Sequence, residues 1–496
     1  MQYHDKERLL TLAKSLKIEN RAFINGEYCK NKIKKTPVMS PMDGKIIQDI
    51  THSSEEDVNQ AVSVAEELCA KGVWSQAQAS YRKHILLKWA DLIEQHADEI
   101  ILLESLNTGK PIQDVINIDF PLSLSCLRWF AELADKVNNQ EVPVDPSLIA
   151  TVVREPLGVV AAIVPWNYPL LMAMWKIAPA LASGNCLILK PSEKTPITTI
   201  KIAEFARQAG LPNGVFQVLP GDGIVGSWLS QHKYVDCVAF TGSTLTGKKI
   251  LYDSANSNLK KVFLELGGKS AQIILSDYKN LQEAAKVVAA SIYSNAGQVC
   301  DAGSRVIVHK RIKDEFAALL IDEAKYFQPK HPFEQDAKMG PLIDGMQMAH
   351  VLEDIEIAKK ESQLIYGGGR TKVDTGGFYV EPTIFDCASN KLSHTQKEIF
   401  GPVLSLISFS DLDEAISIAN DTGYGLCAGI WSGSIKTVHD VAKKLRAGTV
   451  WGNCYNASSN LNLPFGGVKL SGNSKDQSIH AYYKFTDLKS TIISLL

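Results

Sequence analysis

Between residues 158 and 268 short, nearly unbroken apolar runs alternate with longer stretches of helical periodicity. "GVVAAIVPWN" (158–167) is a strand ending in a turn. "YPLLMAMWKIAPALASG" follows as a helix closed by Gly184, and "NCLILKPSE" (185–193) is the next strand. "TTIKIAEFARQAG" is an amphipathic helix with Gly210 at its C-terminal end. "GVFQVLPG" (214–221), "YVDCVAFTGS" (234–243) and "KVFLELGG" (261–268) supply further strands, with helical segments between them. Strands recurring every roughly 20–30 residues have the spacing of βαβ units. Apolar positions throughout a strand mark a parallel sheet covered on both faces. The pattern predicts a doubly wound α/β domain, whose ligands sit beyond the C-terminal strand ends. Those ends are Pro165–Asn167, Lys190–Glu193, Gly221–Gly226 and Thr241–Ser243.

A second α/β rhythm starts after Leu266. "RVIVHK" (305–310) leads into the helix "IKDEFAALLIDEAKYF", and "VLSLISFS" into the helix "LDEAISIAN". "EVPVDPSLIATVVREP" (141–156) is broken by prolines, rich in β-formers, and predicts a projecting hairpin. The tail "YYKFTDLKSTIISLL" predicts a strand with an apolar end. Exposed apolar strands ask for a partner, so hairpin and tail are expected in an oligomer contact.

Bulk properties narrow the class. At 496 residues the chain exceeds one simple core, and two or three domains are expected. A composition 45% hydrophobic and 21% charged, with net charge −2, is that of an ordinary globular protein. It points to neither nucleic acid nor an anionic membrane surface as partner. The longest apolar runs are interrupted by Pro, Asn, Lys or Gly, so no membrane span is expected. The N-terminal residues mix charges and do not read as a signal peptide. Nine cysteines are scattered and never spaced C-x-x-C, which argues against a disulfide framework or a metal knuckle and for a reducing cytoplasm.

One cysteine stands apart. In "NAGQVCDAGSR" (295–305), Cys300 lies between Gly297 and Gly303 and precedes an acid, Asp301. A buried filler cysteine needs no glycine-flanked setting; a nucleophile that meets two ligands does. Glu265 closes an apolar strand just before two glycines, and a buried acid there is either paired or kept for a task. Asn167 at another strand end can donate to a developing oxyanion. Lys190 and Glu193 stand at a third.

Together these segments carry a resemblance. "PWNYP", "LKPSE", "FTGSTLTG", "LELGGKS", "GQVCDAG", "EIFGPV" and "PFGGVKLSG", in that order, resemble the aldehyde dehydrogenase superfamily over nearly the whole chain. The resemblance implies that fold: a Rossmann-like doubly wound cofactor domain (1–136 and 156–266), an α/β catalytic domain (267–465) and a small β oligomerisation arm (137–155 and 480–496). It implies Cys300 as nucleophile, Asn167 as oxyanion donor beside the Cys300 backbone N–H, and Glu265 as the base that hydrolyses the thioester. It implies NAD as cofactor, with NADP possible. Lys190 and Glu193 would hold the adenosine ribose with Ser192 beside them, and Gly242 and Ser243 the phosphates at a helix N-terminus. Trp166, Glu398 and Phe400 fall at the nicotinamide end. Lys176 and Asp476 match a proton-relay pair. Here the chain departs from the family, with Ser474-Lys475 before an Asp in place of Gly-Arg before a Glu, which leaves Asp476 readable as a surface acid.

The chain's ends, with "LNTGKPI" and "LRWFAELADKV", resemble the γ-glutamyl-γ-aminobutyraldehyde dehydrogenase branch, which acts in bacterial putrescine degradation. The alternative is a broad-specificity or betaine-type enzyme. The funnel is expected to be lined by Tyr168, Met172, Trp175, Asp119 and residues 455–463, with the two aromatics and Asp119 holding a substrate ammonium. Asp301 is the unusual residue. A carboxylate about 7 Å from a thiolate, at an effective dielectric of ~20, costs that thiolate about 2 kcal/mol, a penalty that makes sense if Asp301 attracts a cationic amine. The intact Glu265 argues against a CoA-acylating relative, the intact catalytic set against a scaffold, and the lack of a histidine motif beside Cys300 against a cysteine hydrolase. A homodimer or homotetramer is expected.

Overall fold

The computed structural model describes residues 5–30, 34–457 and 460–495. Two seven-stranded sheets organise it. In the first, five parallel strands lie in the spatial order Lys261–Glu265, Cys237–Thr241, Val159–Ile163, Cys186–Lys190, Phe216–Val218. All residues of the middle three are buried, which is why they read as continuous apolar runs. Val159–Ile163 comes first in the chain yet sits centrally, so strand order reverses beside it. The crevice at that reversal is the ligand position of doubly wound sheets. A hairpin from the N-terminal region, Phe23–Ile24 and Glu27–Tyr28, pairs antiparallel with the Phe216–Val218 edge and covers it.

The second sheet runs Gln363–Tyr366, Thr383–Cys387, Val403–Phe409, Arg305–His309, Ala271–Ile274, Cys427–Trp431, Thr449–Gly452, parallel except for its first strand. The chain therefore passes from one sheet to the other within the few residues Leu266–Ser270. The loop 461–478 returns to the first sheet, where Gly472 bridges Glu265 and Asp476 bridges Phe465. The predicted helix before Gly184 spans Pro169–Ala182 and the one before Gly210 spans Ile197–Ala209.

A third sheet stands off the body. Gln140–Val142, Leu148–Pro156 and Thr486–Ser494 form an antiparallel ribbon. Of the tail, residues 478–484 are helical and only Thr486–Ser494 is strand. Ile492, Ile493 and Leu495 are exposed on it. Asn185 ties this arm to the body. Its amide donates to Phe485 O, Ala180 O and Ser183 Oγ, and its carbonyl accepts from Gly158 N. Asn185 is fully buried. Asn185→Ala strands the half-buried Gly158 N–H and removes the amide bond to Phe485 O, and is expected to cost about 1–3 kcal/mol. Denaturant unfolding checks this.

Candidate active site

The passage between the sheets assembles the site. Glu265 is the last residue of the edge strand Lys261–Glu265. Gly268 follows, packed so closely against the nucleophile loop that a Cβ there would overlap the Cys300 carbonyl oxygen. Gly268 N donates to Glu398 Oε1 at 2.8 Å, and a Cβ on Gly267 would overlap the Glu398 carboxyl. Three residues far apart in sequence are thus seated on one short turn.

The loop that carries Cys300 is held in a costly shape. After the helix Leu281–Tyr293, Asn295, Ala296 and Gly297 take φ of 50°, 54° and 72°. Left-handed backbone at the two non-glycine positions costs on the order of 1 kcal/mol each. Gln298, 1% exposed, compensates: its amide donates to Asn295 O at 2.9 Å and its carbonyl accepts from Ile343 N at 2.9 Å. Asn295 Nδ2 donates to Asn167 O at 3.1 Å, and Asn167 Nδ2 to Gln298 O at 2.9 Å. The Asn167 amide therefore lies against the loop two residues from Cys300. Tyr455 OH donates to Asp301 O at 2.6 Å on the other side. The two bracketing glycines serve packing rather than slack around the sulfur. A Cβ on Gly297 would overlap Gly401 O, and one on Gly303 the Gln272 amide.

Burial, then the charges of Asp301, Glu265 and Glu398, push the Cys300 thiol well above its ordinary range, against one lowering contact from the Asp301 N–H. Burial lifts Asp301 to about 6 and Glu398 to about 7. Glu265, 1% exposed, has neither carboxyl oxygen hydrogen-bonded, and burial followed by the nearby Asp476 raises it well above the usual carboxylate range. Burial thus works against ionisation of both the thiol and Glu265.

The helix Pro169–Ala182 carries the remaining groups. Its first turn is pinned by Glu104, a fully buried acid lifted to about 7, whose carboxyl accepts from Leu170 N at 3.0 Å and Thr198 Oγ1 at 2.6 Å. Lys176 on this helix is ion-paired with Asp476, and Lys484 holds the other oxygen of Asp476. Asp476 is wholly buried, not a surface acid. The expected acid of the funnel is also otherwise engaged. Asp119, 1% exposed, is ion-paired with Lys110, whose Nζ lies 3.3 Å from the centroid of the Tyr168 ring. An internal cation thus occupies Asp119 and Tyr168, two of the groups expected to receive the substrate's ammonium. Trp175 is buried with its ring 5.2 Å from Phe465, and Met172 is buried on the same helix. Ser458 and Ser459, within the expected lining 455–463, lie outside the described residues.

The model of the aldehyde dehydrogenase family matches residues 28–491. The chain belongs to the aldehyde dehydrogenase family. It is 43% identical over 497 residues to the NADP/NAD-dependent aldehyde dehydrogenase PuuC of Escherichia coli K12, covering 100% of both chains. Among solved structures it resembles a γ-glutamyl-γ-aminobutyraldehyde dehydrogenase from Burkholderia cenocepacia, at TM-score 0.97 and 48% identity, covering 99% of each chain. An indole-3-acetaldehyde dehydrogenase of P. syringae in complex with NAD+ matches at TM-score 0.96 and 44% identity, covering 98% of this chain and 99% of that one.

The residues present fit the dinucleotide of an aldehyde dehydrogenase. At the strand-order reversal, Ser243 caps the helix Thr244–Ala255 by accepting from Thr246 N, and the earlier N–H groups of that turn face the crevice as an anion site. Thr241 Oγ1, beside Gly242, is buried without a hydrogen-bond partner. Lys190 Nζ lies 3.4 Å from Glu193 Oε2 at the next strand end, and Ser192 Oγ accepts from Lys194 N at 3.3 Å, which shapes that turn. Trp166 and Phe400 meet edge to face at 5.3 Å near Glu398. Glu104, Lys110, Asn295, Gln298 and Lys484 were not singled out from sequence. For Glu104 the signal existed: "IILLESL" sets an acid in an apolar helix, the same oddity that flagged Glu265.

Two outcomes follow from this geometry. Gly267→Ala drives a methyl into Glu398 and should lower kcat/KM for the cofactor by at least about 100-fold, on the order of 3 kcal/mol. Steady-state kinetics at varied NAD check it. Alkylation of Cys300 by iodoacetamide should climb through the neutral to alkaline range without a neutral-pH plateau, and Asp301→Asn should move that rise to lower pH by about one unit.

Proposed function

We propose that this enzyme oxidises an ω-amino aldehyde, γ-glutamyl-γ-aminobutyraldehyde or a close relative, to its carboxylic acid with NAD. The convergence of Cys300, Asn167 and Glu265 on the passage between the two sheets carries the reading. NAD bound across the crevice supplies the hydride acceptor, held by Lys190, Glu193, Ser243 and Glu398 and flanked by Trp166 and Phe400.

The steps assigned to this chain begin with loss of the Cys300 proton. The sulfur adds to the aldehyde carbon, and the former carbonyl oxygen, now negative, receives hydrogen bonds from Asn167 Nδ2 and the Cys300 backbone N–H. Asn167 exchanges its present bond to Gln298 O for that oxygen. Hydride loss leaves a thioester on Cys300. Glu265 then takes a proton from water, the hydroxide equivalent attacks the thioester carbon, and the acid departs as the thiolate is restored. Glu265 then releases that proton to water, beside the buried charges of Lys176 and Asp476.

Substrate selection falls to Asp301. Asp119 is neutralised by Lys110 and is dropped from the recognition set. Asp301 hydrogen-bonds its own backbone N–H, and no cation of the described residues pairs with it. The nearby Tyr168 and Tyr455 feel its charge. A carboxylate that makes the thiol harder to ionise is retained because it draws a positively charged end toward the site. Support for the substrate class also comes from the printed activity of the Burkholderia structure. The exposed ribbon Thr486–Ser494 supports a homodimer or homotetramer, and nine free cysteines support a reducing cytoplasm.

Against γ-glutamyl-γ-aminobutyraldehyde, γ-aminobutyraldehyde, betaine aldehyde and propanal, kcat/KM should favour the first two by at least about tenfold, ~1.4 kcal/mol of transition-state discrimination. Asp301→Asn should erase most of the preference over propanal while raising kcat/KM for propanal. A ratio unchanged by the substitution overturns the role of Asp301, and a profile led by propanal or betaine aldehyde overturns the substrate class.

A further inference from the structure

The acid below Glu265 is held by two lysines. Lys176 reaches Asp476 from the helix Pro169–Ala182, and Lys484 reaches it from the end of the helix Ser478–Lys484. The three side chains are 1%, 7% and 0% exposed for Lys176, Lys484 and Asp476. Burial pushes Asp476 up, yet the two lysines outweigh it and leave the carboxyl below its ordinary value. One lysine suffices to neutralise one carboxylate. With Glu265 protonated, the three charges leave one unmatched positive charge in a dry place; with Glu265 ionised, the four groups sum to zero. Buried charge is tolerated only when matched. Lys484 pairs directly with Asp476, yet its charge exceeds what that one carboxylate needs and is left to balance Glu265.

We infer that Lys484 is a positioning residue that acts through Glu265, serving as the buried counter-charge that lets Glu265 lose its proton during thioester hydrolysis. The inference rests on the proposed role of Glu265 as base. Burial pushes the Lys484 ammonium itself down and Lys176 adds to that, while Asp476 opposes it, so the charge on Lys484 depends on the acids around it. Glu265 is faced by Asp476, which disfavours its ionisation, and by Lys176, Lys484 and Lys475, which favour it. Cys300 lies on its other side. Lys475 donates to Gly466 O and is half-buried, so its charge is partly spent. Lys484 is faced by Asp476, Lys176 and Cys237, and by the rings of Phe263 and Phe485, whose centroids lie 5.9 Å and 5.1 Å from Nζ. Cys126 also feels Asp476. Lys484 is two residues from Thr486, the first residue of the projecting strand, so the arm's attachment and the base's counter-charge share one turn of chain.

The test follows decay of acyl-Cys300 by quench mass spectrometry across the neutral to alkaline range, alongside the burst of reduced cofactor. Lys484→Met should leave the burst in place and move the rise of the decay rate to higher pH by about one unit, and Lys484→Arg should restore it. Lys484→Gln, which keeps a hydrogen-bond donor toward Asp476, should move the rise the same way and decides the matter if Lys484→Met does not fold. A Lys484→Met enzyme with a lowered Tm and an unmoved pH profile overturns the inference. An acyl-enzyme that decays normally in Glu265→Gln overturns the base assignment instead, whatever Lys484 does.

Discussion

The closeness of two backbones governs this molecule. Gly268 presses on the carbonyl of Cys300 with no room for a side chain between them, and that one crossing joins the end of one parallel sheet to the start of the other. Because the chain passes between sheets in five residues, Leu266–Ser270, the residue that ends the first sheet stands beside the loop built on the second. Glu265 belongs to the first, Cys300 and Glu398 to the second. The strained backbone of Asn295 and Ala296 is the cost of bringing the loop down to that crossing, and Gln298, Asn167 and Tyr455 are the hydrogen bonds that hold it there. Asn167, the proposed oxyanion donor, is part of that brace, so a change there alters loop shape as well.

Around the crossing, the protein sorts its buried acids by whether a cation answers them. Asp119 has Lys110 and Asp476 has two lysines. Glu104 is lifted by burial to about 7 and bonds a backbone N–H and a hydroxyl. Glu265 has no hydrogen bond at all and Asp301 only its own N–H. Asp119 and Asp476 are held in place by their lysines. Glu265 and Asp301, with no side-chain partner among the described residues, flank the thiol.

Much of this was legible in the residues. The three middle strands of the first sheet showed as apolar runs because both faces are covered, and Gly184 and Gly210 marked where helices stop. Cys300 and Glu265 stood out by context, since a glycine-flanked thiol and a strand-end acid are each out of place as filler. What was hidden depended on three-dimensional pairing. Asp119 looked free because Lys110, only nine positions away, gives no sign in sequence that a turn of π-helix at Val115–Asp119 folds the acid back onto it. Asp476 looked exposed because a polar stretch, "SGNSKDQS", surrounds it, while its burial comes from the loop 461–478 packing on the edge strand. The tail read as all strand because its helical turn ends only at Lys484, where aromatic residues suit either state.

The central claim is that Cys300 carries the acyl group and Glu265 releases it. Its most direct test is intact-protein and peptide mass spectrometry of Glu265→Gln incubated with NAD and an amino aldehyde. The account predicts one equivalent of reduced cofactor per site and an acyl adduct on the peptide bearing Cys300 that persists for many turnovers of the parent enzyme. An unmodified Cys300 with continued turnover would contradict it.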